Sequence, residues 1–523
     1  ARTCQFKYNG WATVMLGTQA LIGAALAKTF GYSFTALRLG ILPLTGSTTA
    51  ILYLLSRRLG AAAGVSALCA LTLGLSQLTI ECAATFSSDL PALAFFALTL
   101  WYLVRSLDAR RDEAKVPNIR DLIITAISGY IAGTIRQVYW LLPLLGFLYI
   151  SWRSRRSARG LLVSLALFLA VVVVALLTEH WAHAKPYFIP EYFGASLTVL
   201  RSDLAVPFRM LLQLTATLIL FSLPIVVGLR SALSERNSSA ATLFGAGLGL
   251  FALLVFNRQA LMPCLGNLVT EYGVMYRGQD AIGNQPQVIP DAIRAALTIA
   301  CGAAFGTIAW KLVRHSRALL RQVRSPTLPA TLVLSGGFSI GYVLLVLFRA
   351  PTFALSDRYT LPLTFTICLW FAWLGGRHRN GGIALRVGWA VLSLVALFGI
   401  AVTHDEFATA RARLAAASVL TSHGIPRTRI TAGVDYDAWT QLQATGYVND
   451  SRIVNPPNVF VPHPRLVPAG RTDYWFWEWT PVVQPVYFVV DTPQRDLTPP
   501  VLIVHYNAWL PPFDRAAYIQ RAP

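Results

Sequence analysis

Glu81, Asp89, Arg136, Arg349 and Arg358 are ionisable side chains set among or beside long apolar runs. Each costs at least about 2.5–3.5 kcal/mol at membrane depth, so each is a candidate for chemistry. Asp89 stands in Phe86-Ser87-Ser88-Asp89-Leu90-Pro91, and Glu81 opens the same short segment. A carboxylate here is suited to take a proton, bind a metal ion or position a hydroxyl. Ser-Ser-Asp before proline is equally a helix entry, and the two roles are compatible. Arg136 lies between two short apolar runs, in Thr134-Ile135-Arg136-Gln137. A guanidinium there needs an anion, either a phosphate or a carboxylate such as Asp89 or Glu81. Arg349 ends one apolar run, and Ser356-Asp357-Arg358-Tyr359 opens the next. The two arginines fit either capping and interfacial anchoring or contact with a lipid-linked phosphate.

Two polar connections add candidates. Residues 257–290 include Asn267, Glu271 and Tyr272 and are longer and richer in glycine than a connector needs. Such loops tend to be lids or binding segments. Residues 179–206 carry Glu179, His180, His183, Lys185 and Glu191. His180 and His183 have the spacing of a helical metal pair, but histidines beside Trp181 are more often headgroup-level residues. The six cysteines form no CxxC pair and no metal spacing.

The elements that must position these groups follow from composition. Of 523 residues, 55% are hydrophobic and 13% charged, with mean hydropathy +0.53. Ordinary globular domains carry about 25% charged residues. This excludes a soluble enzyme, a disordered chain and a nucleic-acid-binding module. The net charge of +20 sits between apolar runs, as membrane-flanking charge does.

A helix needs about 20 apolar residues to cross the hydrocarbon core. About twelve candidates are present: 38–56, 60–80, 90–106, 121–136, 138–152, 160–178, 207–229, 239–256, 291–313, 327–348, 358–376 and 383–403. The pair 121–136 and 138–152 is short, joined at Arg136-Gln137 and basic on both flanks, which suggests a re-entrant pair. Clusters such as Arg57-Arg58, Arg153 to Arg159 and Arg314 to Arg324 fall in alternate loops, which the positive-inside rule makes cytoplasmic. The longer, more acidic loops then face outward. Residues 11–30 are apolar enough for a span or for a helix lying along the outer interface, within an outer segment 1–37. The transmembrane domain covers 38–403. From 404 to 523, acidic residues, prolines and short runs such as 486–490 and 501–504 indicate a small extracytoplasmic α/β domain with a short helix near 437–442. The expected fold is an all-α polytopic membrane protein with that domain appended.

The order FGYSFTALRLGILPL and LYLLSRRLG, then FSSDLPALAFFALTLWYLVRS, a long outer loop, SDRYTLPL and an outer tail resembles the GT-C membrane glycosyltransferases. The likeness is nearest to the branch of dolichyl-phosphate-mannose–protein mannosyltransferases and aminoarabinose transferases, and it covers about residues 10–403. The resemblance implies inverting transfer of a sugar from a polyprenyl-phosphate donor to a protein, lipid or glycan acceptor at the outer face of a bacterial inner or ER-type membrane. It implies membrane lipids and no nucleic acid as partners. It implies no certain cofactor and leaves a divalent cation open. Asp89 matches the family's second acidic position, with Glu81 beside it as a further catalytic carboxylate. Arg136, Lys185, Arg349 and Arg358 are the candidates for holding donor phosphate, and Asn267, Glu271 and Tyr272 for a substrate loop. The resemblance also implies the interfacial helix for residues 11–30. It further implies a first span and a first-loop carboxylate ahead of residue 1, because nothing acidic precedes Glu81. A transporter with two similar halves is the rival expectation, and a non-catalytic lipid-carrier-binding protein is a second.

Overall fold

The computed structural model describes residues 12–13, 16–108, 118–155, 157–185, 188–190, 205–229, 238–255, 263–274, 281–283, 285–314, 328–349, 355–377, 382–446, 480 and 482–523. Apolar sequence becomes helix along most of that length. The helices are α1 (Thr18–Phe30), α2 (Phe34–Leu39), α3 (Leu42–Arg58), α4 (Ala63–Gly74), α5 (Gln77–Ala84), α6 (Asp89–Asp108), α7 (Ile119–Ile135) and α8 (Leu141–Arg153). They continue as α9 (Ala158–His183), α10 (Ala205–Gly228), α11 (Ser238–Val255), α12 (Asp291–Arg314), α13 (Ala330–Arg349), α14 (Leu361–Arg377), α15 (Gly382–Ser422) and α16 (Val434–Thr445). The chain is a mostly helical integral membrane protein.

Helices occupy most of the described residues of all twelve expected apolar segments, but their capacity to span differs. Eight helices among the described residues are long and apolar enough to cross a membrane, or nine if α4 and α5, bent by 53° at their break, form one span. The expected count of twelve is thus not reached among the described residues, where eight or nine helices meet this test. α7 has 17 residues and α8 has 13, which at about 1.5 Å per residue leaves both short of a core about 30 Å thick. The described apolar stretch of α11, Thr242–Phe251, is also short. α1, with 13 residues, falls under the same limit.

α7 and α8 meet at Arg136, whose backbone is extended (φ −143°, ψ 112°), followed by a single 3-10 turn, Gln137–Trp140. The turn folds the Trp140 indole back over Gly133, where an added Cβ would lie 1.9 Å from the ring. The indole N–H donates to the Tyr130 carbonyl at 3.2 Å. Beneath this turn Phe96, Tyr139, Phe338 and Phe365 form an aromatic core, with Phe96 and Phe338 centroids 4.6 Å apart. Helices in lipid associate by close packing rather than water exclusion. The contact of α11 with α12 shows this, because a Cβ on Gly245 would come within 2.2 Å of the Gly302 carbonyl.

α15 is 41 residues long and runs through position 404, where the tail begins in the sequence. Residues 404–422 contain neither glycine nor proline and are rich in alanine, so polarity ends the apolar stretch but not the helix. Gly424, at φ +82°, and Pro426 follow its end. Beside this extension lies a four-stranded sheet in the order β3-β4-β6-β5, made of β3 (Ile430–Thr431), β4 (Tyr487–Val490), β5 (Leu502–Asn507) and β6 (Asp514–Arg521). β3 and β4 are parallel, and the β4–β6 and β5–β6 pairs are antiparallel. The strands expected near 486–490 and 501–504 are present, as is the short helix at α16. Among the described residues a two-residue parallel bridge, β1 (Ala12–Thr13) with β2 (Ile189–Pro190), is the other sheet. Ala412, Ala416, Leu420, Ile430, Val489, Ala517 and Ile519 form the core between sheet and helix.

Candidate functional site

α6 begins at Asp89, where the Ser87 hydroxyl accepts from the Asp89 amide at 3.2 Å and donates to Asp89 Oδ2 at 2.8 Å. The helix-entry role expected of this segment is thus present. The same carboxylate also pairs with Arg136, Nη2 to Oδ1 at 2.8 Å, and both side chains are buried. The break between α7 and α8 is what aims Arg136 at the start of α6. Its guanidinium lies 5.5 Å from the Tyr359 ring centroid, and that of Arg358 lies 5.9 Å from the same ring. Two cations thus approach one aromatic ring. Among the described residues the Nε atoms of Arg136 and Arg358 are buried without a hydrogen-bond partner, which is costly unless a further acceptor arrives.

Glu81 lies on α5, one short turn upstream in sequence, and is 4% exposed. The Thr403 hydroxyl of α15 donates to its Oε2 at 3.1 Å, and Arg38 acts on it electrostatically. Cys82, fully buried next to Glu81, lies in the field of Asp89, Glu81, Arg358 and Asp357. The two carboxylates, Asp357 and Arg358 therefore share one neighbourhood, around the ends of α5, α6 and the 3-10 turn Asp357–Thr360.

The loop candidates are brought to the edge of this neighbourhood. Asp357, with no exposed surface, accepts from the amides of Leu268 (3.1 Å), Val269 (2.6 Å) and its own neighbour Arg358 (2.8 Å). Ser356 donates to Asn267 Oδ1 at 2.9 Å, and Asn267 takes a left-handed φ of 101°. Gln77 Nε2 donates to the Gly273 carbonyl at 3.0 Å, and Thr217 Oγ1 accepts from the Leu265 amide at 2.8 Å. Glu271 pairs at 3.7 Å with Arg294, which also binds Asp291. Tyr272 instead lines a small, shallow cleft with Asp405, Glu406, Thr409 and Arg515. Asp357 as the loop's anchor was not legible in sequence. Its three-residue context reads as a cap, and its partners lie 88 and 89 residues away.

Of the other cation candidates, Lys185 makes a local contact. Lys185 Nζ lies 4.5 Å from the Trp181 ring centroid, just beyond the C-terminal end of α9. His183 packs edge-on to Phe188, with ring centroids 4.9 Å apart. Arg349 ends α13, and its side chain lies outside the described residues. Among the described residues, no group of three or more His, Cys, Asp or Glu is arranged to hold a metal ion.

No protein-family model matches the chain, and no curated protein sequence matches it. Two solved structures are similar at low level. The S. cerevisiae protein O-mannosyltransferase Pmt1-Pmt2 complex bound to the sugar donor is 16% identical over 38% of this chain and 30% of that one, at a TM-score of 0.29. ArnT from Cupriavidus metallidurans bound to undecaprenyl phosphate is 15% identical over 77% of this chain and 70% of that one, at a TM-score of 0.28. The matched part spans under a third of the length of the mannosyltransferase. Likeness at this level carries no activity across.

Proposed function

We propose that the chain is a membrane glycosyltransferase that moves a sugar from a polyprenyl-phosphate donor to an acceptor hydroxyl, with inversion, at the outer face of the membrane. The observation that carries this reading is the pair of guanidinium groups on the Tyr359 ring, each with a buried, unpartnered Nε–H. Such donors suit a phosphate that brings its own oxygens. Polyprenyl phosphate leaves readily once its charge is matched, so the chemistry asks only for a positioned acceptor. The acceptor oxygen attacks the anomeric carbon, the bond from that carbon to the phosphate oxygen breaks, and the hydroxyl proton passes to a carboxylate. Glu81 is better placed than Asp89 to receive it, because Asp89 is committed to Arg136 and Ser87. Asp89 then holds Arg136 in register for the phosphate. Lys185 and Arg349 serve as peripheral cations in this reading, and Asn267, Glu271 and Tyr272 as the loop that borders the sugar. The transmembrane region is 38–403, with an outer segment at 1–37 and an extracytoplasmic part at 404–523.

One observation favours a second reading, a lipid-carrier-binding protein without transfer. The Asp89–Arg136 pair closes on itself at 2.8 Å, which is what a purely structural ion pair does. Reconstitution into liposomes separates the two. Supplied with polyprenyl-phosphate hexoses and pentoses and a mixed protein, lipid and glycan acceptor preparation, a transferase releases free polyprenyl phosphate in step with acceptor labelling. A carrier-binding protein retains the intact donor and releases none. A transporter moves labelled solute across the bilayer without breaking a bond.

A further inference from the structure

We propose that the turn joining β5 to β6, residues 508–513, is a lipid-surface anchor that seats the C-terminal sheet in the headgroup layer. Contacts along α15 give the direction of this hairpin. Asp405 accepts from the amides of Trp509 (2.7 Å) and Leu510 (3.0 Å) and from Arg515 Nη2 (3.2 Å). One turn further on, Thr409 and Tyr506 share a hydroxyl contact at 3.0 Å. Beyond that, Ala412, Ala416 and Leu420 pack on Val504, Tyr506, Ala517 and Ile519. The hairpin therefore runs alongside α15 with its tip at residue 405 and its body further toward the helix end. The apolar stretch of α15 ends at about residue 403, so the tip lies within about one helical pitch, roughly 5 Å, of the edge of that stretch.

At that tip Trp509 and Phe513 are 57% and 62% exposed. Trp509 stacks on His404 with ring centroids 4.0 Å apart. Large aromatics left in water at this level are costly, whereas tryptophan at the headgroup boundary is favoured. A second element marks the same depth. Arg38 of α2 lies 4.6 Å over Phe407, and the preceding elbow presents Phe30, Tyr32 and Phe34, which are 53–70% exposed. Tyr32 stacks on Trp439 of α16 at 5.7 Å. Trp509 on His404 and Arg38 on Phe407 thus bring the hairpin tip and the aromatic elbow before α2 to the same short stretch of α15, where it leaves its apolar run.

The test uses the full chain in liposomes, with Cys4→Ser and Cys264→Ser to leave only buried native thiols. A single spin label is placed by Phe513→Cys, or by Val501→Cys at the far end of β5, about 20 Å away by strand rise. Collision with oxygen, which partitions into lipid, is compared with collision with a water-soluble nickel chelate. The expected result is a several-fold higher oxygen-to-nickel ratio at 513 than at 501, lost when the protein is moved from liposomes to a lipid-free amphipathic polymer. Equal, water-like ratios at the two positions in liposomes would overturn the assignment. Both side chains are exposed, so neither label disturbs the core.

Discussion

Asp89 Oδ1 and Arg136 Nη2 are 2.8 Å apart, with both side chains buried. The pair ties the start of α6 to the break between α7 and α8. Removing one partner of a buried pair strands the other charge and costs about 3–5 kcal/mol, while removing both costs much less than the sum. Thermal unfolding in detergent of Asp89→Asn, Arg136→Gln and the double variant checks this. The double variant should be no less stable than the worse single one. Additive losses would show that the pair is not coupled.

Asp357 places a buried carboxylate under the amides of Leu268 and Val269. Hydrogen bonds to a charged group contribute about 1.5–3 kcal/mol each. Asp357→Ala should therefore release the loop at 263–274. The native thiol of Cys264, half-buried and bonded to the Val269 carbonyl at 3.3 Å, reports the release. Its maleimide labelling should speed up about tenfold or more in a Cys4→Ser background. Unchanged labelling would mean that Gln77, Thr217 and Arg294 hold the loop without Asp357.

Gly133 has no room for a side chain under Trp140. Gly133→Ala should shift the Trp140 turn and lower folded yield by several-fold in detergent extracts. Gly46, in the middle of α3 with nothing within 4 Å of an added Cβ, is the matched control, and Gly46→Ala should leave yield unchanged. Equal yields would show that the turn rearranges freely.

Asp405 binds the β5–β6 turn through two amides and Arg515. Asp405→Ala should raise hydrogen exchange at Trp509 and Leu510 by at least tenfold, while β4, held through Arg413 and Asp491, keeps its protection. Uniform loosening of the sheet would place the docking energy elsewhere.

The apolar helices were legible because a run of about 20 apolar residues has one stable form in lipid, a helix with every backbone group paired internally. The span count was not, because helix length and bends decide crossing. α7 and α8 look like spans by composition and are cut short by a turn at Arg136. The continuation of α15 was hidden for a related reason, since His404-Asp405-Glu406 ends the hydropathic signal while the backbone remains a good helix. Within the site, the cost argument marked Asp89 and Arg136 and foresaw that the guanidinium needs an anion. It did not say which carboxylate pairs with Arg136, because that depends on which helix ends meet. Thr403 and Arg38 carry no local signal at all, and that of Asp357 reads only as a cap. Their partners are distant in sequence, and packing alone brings them together.

The central claim is transfer from a polyprenyl-phosphate donor at the Glu81–Arg358 side of this cluster. Its most direct test is the initial rate of polyprenyl phosphate release by reconstituted wild type, Glu81→Gln and Arg358→Ala, each first matched for folded amount. A positioned proton acceptor contributes about 10²–10⁴-fold. The expected result is measurable release by wild type, a fall of that size for Glu81→Gln with donor affinity retained, and weakened donor affinity for Arg358→Ala. Release by Glu81→Gln at the wild-type rate, or none by wild type with any donor of the panel, would contradict it.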